Sequence, residues 1–213
     1  MRLGILGGTF DPIHFGHLRL AEEMCEELDL SKVLLMPGAQ PPHKDGHLVT
    51  TFLDRLEMTK IGASYSGYLE ASDIEGHRKG PSYSIETIRI IRENYENQIE
   101  LFFILGSDAF KEINTWKEYK NLFRLTNFVV IERPGITFYE LEGFIESLEV
   151  GLKKEKTNNI FINSSGNQVL LKKTTLMDIS STRIRQNIKA GKSINFTVPQ
   201  KVKEYIIEKG LYK

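Results

Sequence analysis

The stretch from Leu3 to Leu18 limits what this chain can fold into more than any other part of it. Leu3-Gly4-Ile5-Leu6 is a short apolar run that reads as a buried strand. Gly7 and Gly8 follow at once, and paired glycines let a backbone turn sharply and approach a ligand closely. Beyond Pro12 the residues take helical spacing, through Leu18, Ala21, Glu22, Cys25 and Leu28. A strand, a Gly-rich turn and a helix are therefore expected, with His14 and His17 at the turn and the helix start. Helix N-termini offer unpaired N–H groups and partial positive charge, which suits a phosphate. Two imidazoles three residues apart can add hydrogen bonds to its oxygens. A zinc site fits less well, because it needs three or four ligands and no further His or Cys lies nearby.

Further along, the same alternation repeats. Val33-Leu34-Leu35-Met36 reads as a second strand, ending at Pro37-Gly38 and a loop with Gln40-Pro41-Pro42-His43-Lys44. A helix is expected from about Thr51, with Leu53, Leu56, Met58 and Ile61 apolar and Arg55 on another face. Tyr68 to Ala71 is a weaker strand ending near Asp73, and a polar loop from His77 to Ser84 leads into a helix from about Ile85 to Glu93. Ile99 to Leu105 is the strongest strand, closed by Gly106-Ser107-Asp108. A helical stretch holding Trp116 and Tyr119 precedes a strand at Asn127 to Ile131, which ends at Arg133-Pro134-Gly135. Phe138 to Leu148 is spaced as a helix, Lys153 to Asn159 reads as a polar turn, and Ile160 to Ile162 and Val169 to Leu171 as short strands. Ile179-Ser180-Ser181-Thr182-Arg183-Ile184-Arg185 opens a helix with hydroxyls suited to its cap. A last helix starts after Pro199 and stops at Gly210.

Strands alternating with helices predict a parallel α/β sheet, doubly wound and Rossmann-like, with helices on both faces and a short helical C-terminal part. Ligands of such sheets bind beyond the carboxyl ends of the strands, where Gly7, Pro37, Asp73 and Gly106 fall. With no repeat or linker, residues 1–213 are expected to form one domain, its phosphate-binding helical part at about 179–213. Two other glycine motifs fail. Lys189-Ala190-Gly191-Lys192-Ser193 has Gln186 where a phosphate-binding loop needs its first Gly, and Gly4, Gly7 and Gly8 lack dinucleotide spacing. Acidic and basic residues balance at 28 each, which argues against a nucleic-acid or membrane partner. The lone Cys25 falls on an apolar helix face, as a core residue. A cytoplasmic location is expected, as no apolar run is long enough to span a membrane.

The segment Gly7-Gly8-Thr9-Phe10-Asp11-Pro12-Ile13-His14-Phe15-Gly16-His17 resembles the signature of the nucleotidyltransferase superfamily, whose His-x-Gly-His element binds ATP phosphates. Ile179-Ser180-Ser181-Thr182 followed by Arg185 is similar to that superfamily's second signature, which grips the outer phosphates. Pro41-Pro42-His43-Lys44, Gly80 to Ser84, Gly106-Ser107-Asp108, Trp116 and Arg133-Pro134-Gly135 resemble the bacterial nicotinate mononucleotide adenylyltransferases over essentially the whole chain. Ser84 stands where that family often has Thr, a change that keeps a hydroxyl.

The resemblance implies transfer of AMP from ATP to nicotinate mononucleotide, with Mg²⁺ held mainly by the ATP phosphates, in a monomer or homodimer. It implies His14, His17, Lys44 and Arg185 as the catalytic groups. ATP would also meet Gly7, Gly8, Thr9, Phe10, Gly106, Asp108, Ile179, Ser180, Ser181 and Thr182. The mononucleotide would meet Lys44, Tyr83, Ser84, Ile85, Trp116 and Arg133. Arg55, Asp73 and Arg133 are equally readable as pocket or as surface residues, and His43 and His47 sit in a polar loop. Three rivals share the motifs: a superfamily enzyme with another acceptor, a nucleotide-binding module without turnover, and a fragment of a class I aminoacyl-tRNA synthetase. Intact His17 and Arg185 count against the second, and neutral charge against the third.

Overall fold

A computed structural model describes residues 1–39, 49–78, 80–96, 98–155 and 159–213. Its backbone groups into two compact units, Met1–Leu6 with Tyr83–Thr174, and Gly7–Ser82 with Thr175–Lys213.

The first unit holds the start of β1 (Arg2–Gly8) and a run of strands beside it: β4 (Glu100–Gly106), β5 (Asn127–Ile131), β6 (Lys153–Lys154), β7 (Ile160–Ile162) and β8 (Gln168–Lys172). β1 pairs β4 in parallel, with Leu3 opposite Leu101 and Ile5 opposite Phe103, and β4 in turn pairs β5. β5 pairs β8 in parallel, whereas β8, β7 and β6 form an antiparallel edge. The central strands are buried on both faces, which is why they read as unbroken apolar runs. Helices α3 (Ser84–Asn94), α4 (Ser107–Lys111), α5 (Tyr119–Leu125) and α6 (Phe138–Ser147) connect them. Phe110, Phe123 and Phe128 form the aromatic centre of this core, with Phe123 and Phe128 4.8 Å apart. α6 opens on a capping box, in which Thr137 and Glu140 satisfy each other's N–H groups.

Two expectations fail in this unit. The helical stretch around Trp116 is broken into α4, a 3₁₀ turn (Ile113–Thr115) and α5: the backbone leaves helical geometry at Glu112 and again at Trp116, and Glu118 adopts a positive φ of 52° just ahead of α5. Trp116 itself is extended and belongs to no helix. Lys153 and Lys154 form an edge strand against Phe161 and Ile162, where a turn was expected. Exposed lysines suit an edge strand, since they discourage pairing with other chains.

In the second unit are α1 (Phe15–Glu27), β2 (Lys32–Pro37), α2 (Phe52–Ala63), β3 (Leu69–Ala71), α7 (Ser181–Lys189) and α8 (Gln200–Glu208). β2 and β3 pair in parallel. α1 buries Leu18, Ala21, Met24 and Cys25, and the Cys25 thiol lies 3.1 Å from the Leu30 carbonyl. Glu23 on the same helix is also buried, and its carboxylate accepts from the Arg19 guanidinium and the Thr175 N–H, both at 2.9 Å. Thr51 caps α2 by accepting from Asp54 N–H. Leu53, expected among the apolar positions of α2, is exposed. α8 stops at Gly210 (φ 61°), where Leu211 N–H reaches the Ile206 carbonyl and Gly210 N–H that of Ile207. That is the paired closure of a Schellman end. No helix among the described residues is long and apolar enough to cross a membrane.

Candidate active site

The glycine turn lies in the second unit from Gly7 onward. Phe10 takes a positive φ of 48° and is buried. Its ring fills the space beside Gly8, where a Cβ would come within 2.7 Å of it. His14 is the N-cap of α1, and its carbonyl accepts from His17 and Leu18 N–H. The His14 and His17 rings stack with centroids 3.6 Å apart, and Phe10 meets His17 edge-on at 4.9 Å. A Cβ at Gly16 would sit 3.1 Å from the His14 ring, so any larger residue there would push the imidazole aside. Gly16 and Phe10 thus hold two imidazoles as one stacked pair. The N–H of Phe15 donates to the Thr197 carbonyl at 3.1 Å, so one N–H of this helix start is used within the protein.

The second motif is docked onto this turn. Ser180 caps α7 by accepting from Arg183 N–H, and the Ser181 hydroxyl donates to the Pro12 carbonyl at 2.8 Å. Arg185 Nη1 donates to the Asp11 carbonyl at 2.7 Å and Nη2 to Thr182 Oγ1 at 3.3 Å. Arg183 points elsewhere, exposed and 3.9 Å from Asp178. Gly7, Gly8, Thr9, Phe10, His14, His17, Ile179 to Thr182 and Arg185 therefore all belong to this unit, as the two motifs require.

Three residues support the turn without having been assigned a part in it. Arg55 is 1% exposed, so it is buried rather than a surface residue. Its guanidinium donates to the carbonyls of Thr50 (3.0 Å), Thr9 (2.8 Å) and Ala39 (3.4 Å). Burial lowers its pKa, and the charge of Asp11 partly offsets this. Asp11 is itself buried, accepting from the Tyr212 hydroxyl at 2.6 Å and from Thr50 N–H at 3.4 Å. Burial, reinforced by the bond to Asp11, raises the Tyr212 phenol pKa strongly. A buried Arg with carbonyl partners leaves no sequence signal; the Asp within the motif was the only available hint.

The remaining expected residues lie in the first unit, apart from Asp73, which belongs to the second, and Lys44, which with His43 and His47 falls outside the described residues. Gly106 ends β4, and a Cβ there would collide with the Asp108 carboxylate and sit 3.0 Å from Arg133 Nε. The missing side chain leaves room for that carboxylate and guanidinium together, both on exposed residues. Ser107 accepts from Arg133 N–H at 3.1 Å. Tyr83 precedes α3, Ser84 is its first residue, and Ile85 behind it is fully buried. Lys117 lies 4.5 Å over the Tyr83 ring and 2.6 Å from the Glu86 carboxylate, neutralising the one acid in the first turn of α3. Trp116 is half-buried and meets Phe103 edge-on at 6.0 Å. Asp73 is exposed and 3.1 Å from His77.

Among the described residues no group of three or more His, Cys, Asp or Glu side chains gathers to hold an ion. The carboxylate nearest the motif turn, Asp11, is occupied by Tyr212 and Thr50. What the turn offers instead is imidazoles and a guanidinium, which match phosphate oxygens.

Comparison with known proteins gives the same grouping. Residues 5–187 match the cytidylyltransferase-like family. A protein of Desulfatibacillum aliphaticivorans, described as a probable nicotinate-nucleotide adenylyltransferase, is 42% identical over 218 residues covering all of both chains. One of Geobacter sp. (strain M21) with the same description is 42% identical, covering all of this chain and 98% of its own. The solved structure of Plasmodium falciparum nicotinic acid mononucleotide adenylyltransferase complexed with NaAD superposes with a TM-score of 0.74 at 20% identity, covering 99% of this chain and 97% of that one. That likeness shows a shared fold, the Rossmann-like α/β nucleotidyltransferase architecture expected from the alternating strands and helices. With both signature motifs in place and full-length relatives at this identity, the chain belongs to the cytidylyltransferase-like family and, within it, to the nicotinate-nucleotide adenylyltransferases.

Proposed function

We propose that this enzyme transfers AMP from ATP to the 5′-phosphate of nicotinate mononucleotide. An acceptor phosphate oxygen attacks the α-phosphorus, and the bond from that phosphorus to the oxygen bridging to the β-phosphate breaks. Pyrophosphate leaves with the electron pair, and deamido-NAD is the product. The observation that carries this reading is the docking of Ser181 and Arg185 on the carbonyls of Pro12 and Asp11, which joins two phosphate motifs 169 and 174 residues apart.

No general base is needed, because the second pKa of a phosphate monoester is about 6 and the attacking oxygen is ionised at neutral pH. The cost lies in bringing two polyanions together, about 4 kcal/mol for each pair of unit charges 4 Å apart at an effective dielectric of 20. Catalysis is then positioning plus neutralisation of charge. His14 and His17 would donate to the ATP phosphates as a stacked pair, Arg185 would hold the outer phosphates, and Lys44 would add countercharge. The backbone of Gly7 to Phe10 and the hydroxyls of Ser180 to Thr182 would line the phosphate path. Mg²⁺ bound to ATP would neutralise the phosphates further. Asp108, beside Gly106, would accept from a ribose hydroxyl. The N–H groups of Ser84 and Ile85, behind Tyr83, would meet the nicotinate carboxylate, with Trp116 against the pyridine ring and Arg133 lining the mononucleotide site.

Pyrophosphate release tests this, with ATP or CTP as donor and a panel of acceptors. Turnover is expected with ATP and nicotinate mononucleotide. The amide analogue should be poorer by roughly 10²–10⁴ in kcat/KM, since its NH₂ would face donors and lose a charge-assisted bond. Similar values for acid and amide would remove the carboxylate role of Ser84 and Ile85. Turnover with phosphopantetheine but with no pyridine mononucleotide would overturn the acceptor assignment.

A further inference from the structure

Arg185 can hold phosphate only as accurately as it is itself held, and one of its two hydrogen bonds goes to a main-chain carbonyl, that of Asp11. Asp11, the residue that carries that carbonyl, is 2% exposed, and both of its carboxylate oxygens are engaged. One carboxylate oxygen accepts from the Tyr212 hydroxyl at 2.6 Å, and the other from Thr50 N–H at a longer 3.4 Å. The short bond is thus the one that fixes the side chain. It joins residues 201 positions apart. Tyr212 takes a positive φ of 65° just beyond the closed end of α8, a conformation unusual for a residue with a side chain. Its hydroxyl also lies 4.0 Å from Met58 Sδ, so it reaches α2 as well as the motif turn.

We infer that Tyr212 is a positioning residue for ATP: through the Asp11 carboxylate it sets the carbonyl that aims Arg185. The inference rests on the adenylyltransferase reading above but adds a residue that touches no substrate. Removing the hydroxyl lets Asp11 rotate, the carbonyl follows, and Arg185 loses its aim at the triphosphate. The pyridine mononucleotide has no part in that chain of contacts, so its binding is unaffected.

The test is Tyr212→Phe, which keeps the ring and its packing and removes only the hydroxyl. ATP affinity by calorimetry is expected to fall about 10-fold, the scale of one charge-assisted hydrogen bond, with KM for ATP rising in parallel. KM for nicotinate mononucleotide should stay within about twofold, and the urea midpoint should move little. In an Arg185→Ala background the same substitution should have almost no further effect on ATP, since two residues acting through one contact are not additive. Asp11→Asn, which keeps an acceptor oxygen but loses its charge, should give a smaller ATP-specific loss. A Tyr212→Phe enzyme that binds ATP like the parent, or that loses affinity for both substrates equally, would overturn the inference. So would an undiminished effect in the Arg185→Ala background. The calorimetric arm needs no acceptor, so a wild-type enzyme inactive on nicotinate mononucleotide would count against the functional reading alone.

Discussion

Replacing Arg55 by Met should destabilise the protein by about 2–4 kcal/mol, a large share of the 5–15 kcal/mol that holds a domain of this kind together. The figure follows from opposing effects. The guanidinium donates to Thr50 and Thr9 at 3.0 and 2.8 Å; the contact with Ala39, at 3.4 Å, is long and is left out. A carbonyl left unsatisfied in the interior costs about 1–3 kcal/mol, so two cost roughly 2–6. Against that, removing a buried cation recovers some of its desolvation, which trims the upper end. Met approximates the length and volume of the aliphatic stem, so little is lost from cavity formation. Arg55→Lys is the diagnostic partner. A lysine keeps the charge but has no planar fork to bridge separate carbonyls, so it should lose about as much as Met. Urea unfolding followed by circular dichroism gives both numbers, provided the slopes match the parent. A Met variant within 0.5 kcal/mol of the parent would refute the reasoning, since Thr9 and Thr50 would then have other partners. A Lys variant as stable as the parent would show that charge, not geometry, is what the site requires.

His17→Ala should lower kcat by about 10²–10³-fold, the scale of losing one donor to transition-state charge, at an unchanged unfolding midpoint. More than half of the activity remaining would move the chemistry away from the stacked pair. Arg185→Ala should raise KM for ATP well above its effect on the mononucleotide; equal effects on both substrates would place Arg185 outside the triphosphate site. Tyr205, whose hydroxyl donates to Asp54 at 2.8 Å, has its phenol pKa raised to about 12 by burial and that carboxylate. The unfolded value is near 10, so the contact's stabilisation is fully present below pH 10 and is lost as pH rises towards 12. Urea midpoints from pH 8 to 11 should therefore fall more steeply in the parent than in Tyr205→Phe, and parallel curves would dismiss the contact.

The parts of the fold that were legible from sequence are those where one physical effect dominates. β4 and β5 are buried on both faces over Leu101 to Leu105 and Phe128 to Ile131, so those residues had to be apolar, and each run reads as the strand it is. The failures share an opposite character. Lys153 and Lys154 gain strand geometry only by pairing with Ile162 and Phe161, and nothing in two lysines announces a partner. The helix expected around Trp116 is broken at Glu112, at Trp116 and at Glu118, and the Glu118 carboxylate is held by Arg89 from another helix, at 2.6 and 3.1 Å. Tertiary contact overrides helical spacing there.

The site divides along the same line. His14, His17 and Arg185 could be read in advance because their chemistry resides in the side chain, and phosphate admits few substitutes for it. Arg55 and Tyr212 could not, because what they hold is the backbone at Thr9 and the buried side chain of Asp11, and a main-chain carbonyl is the same in every residue. Gly8 and Gly16 mark where the two layers meet. Neither contributes a functional group, yet a Cβ at Gly8 would strike Phe10 and one at Gly16 would press on His14. The glycines in the motif therefore record the space that the imidazoles and their supporting ring occupy. A motif of this kind specifies a cavity shape together with its ligands, and the residues that keep the shape rigid can come from anywhere in the chain.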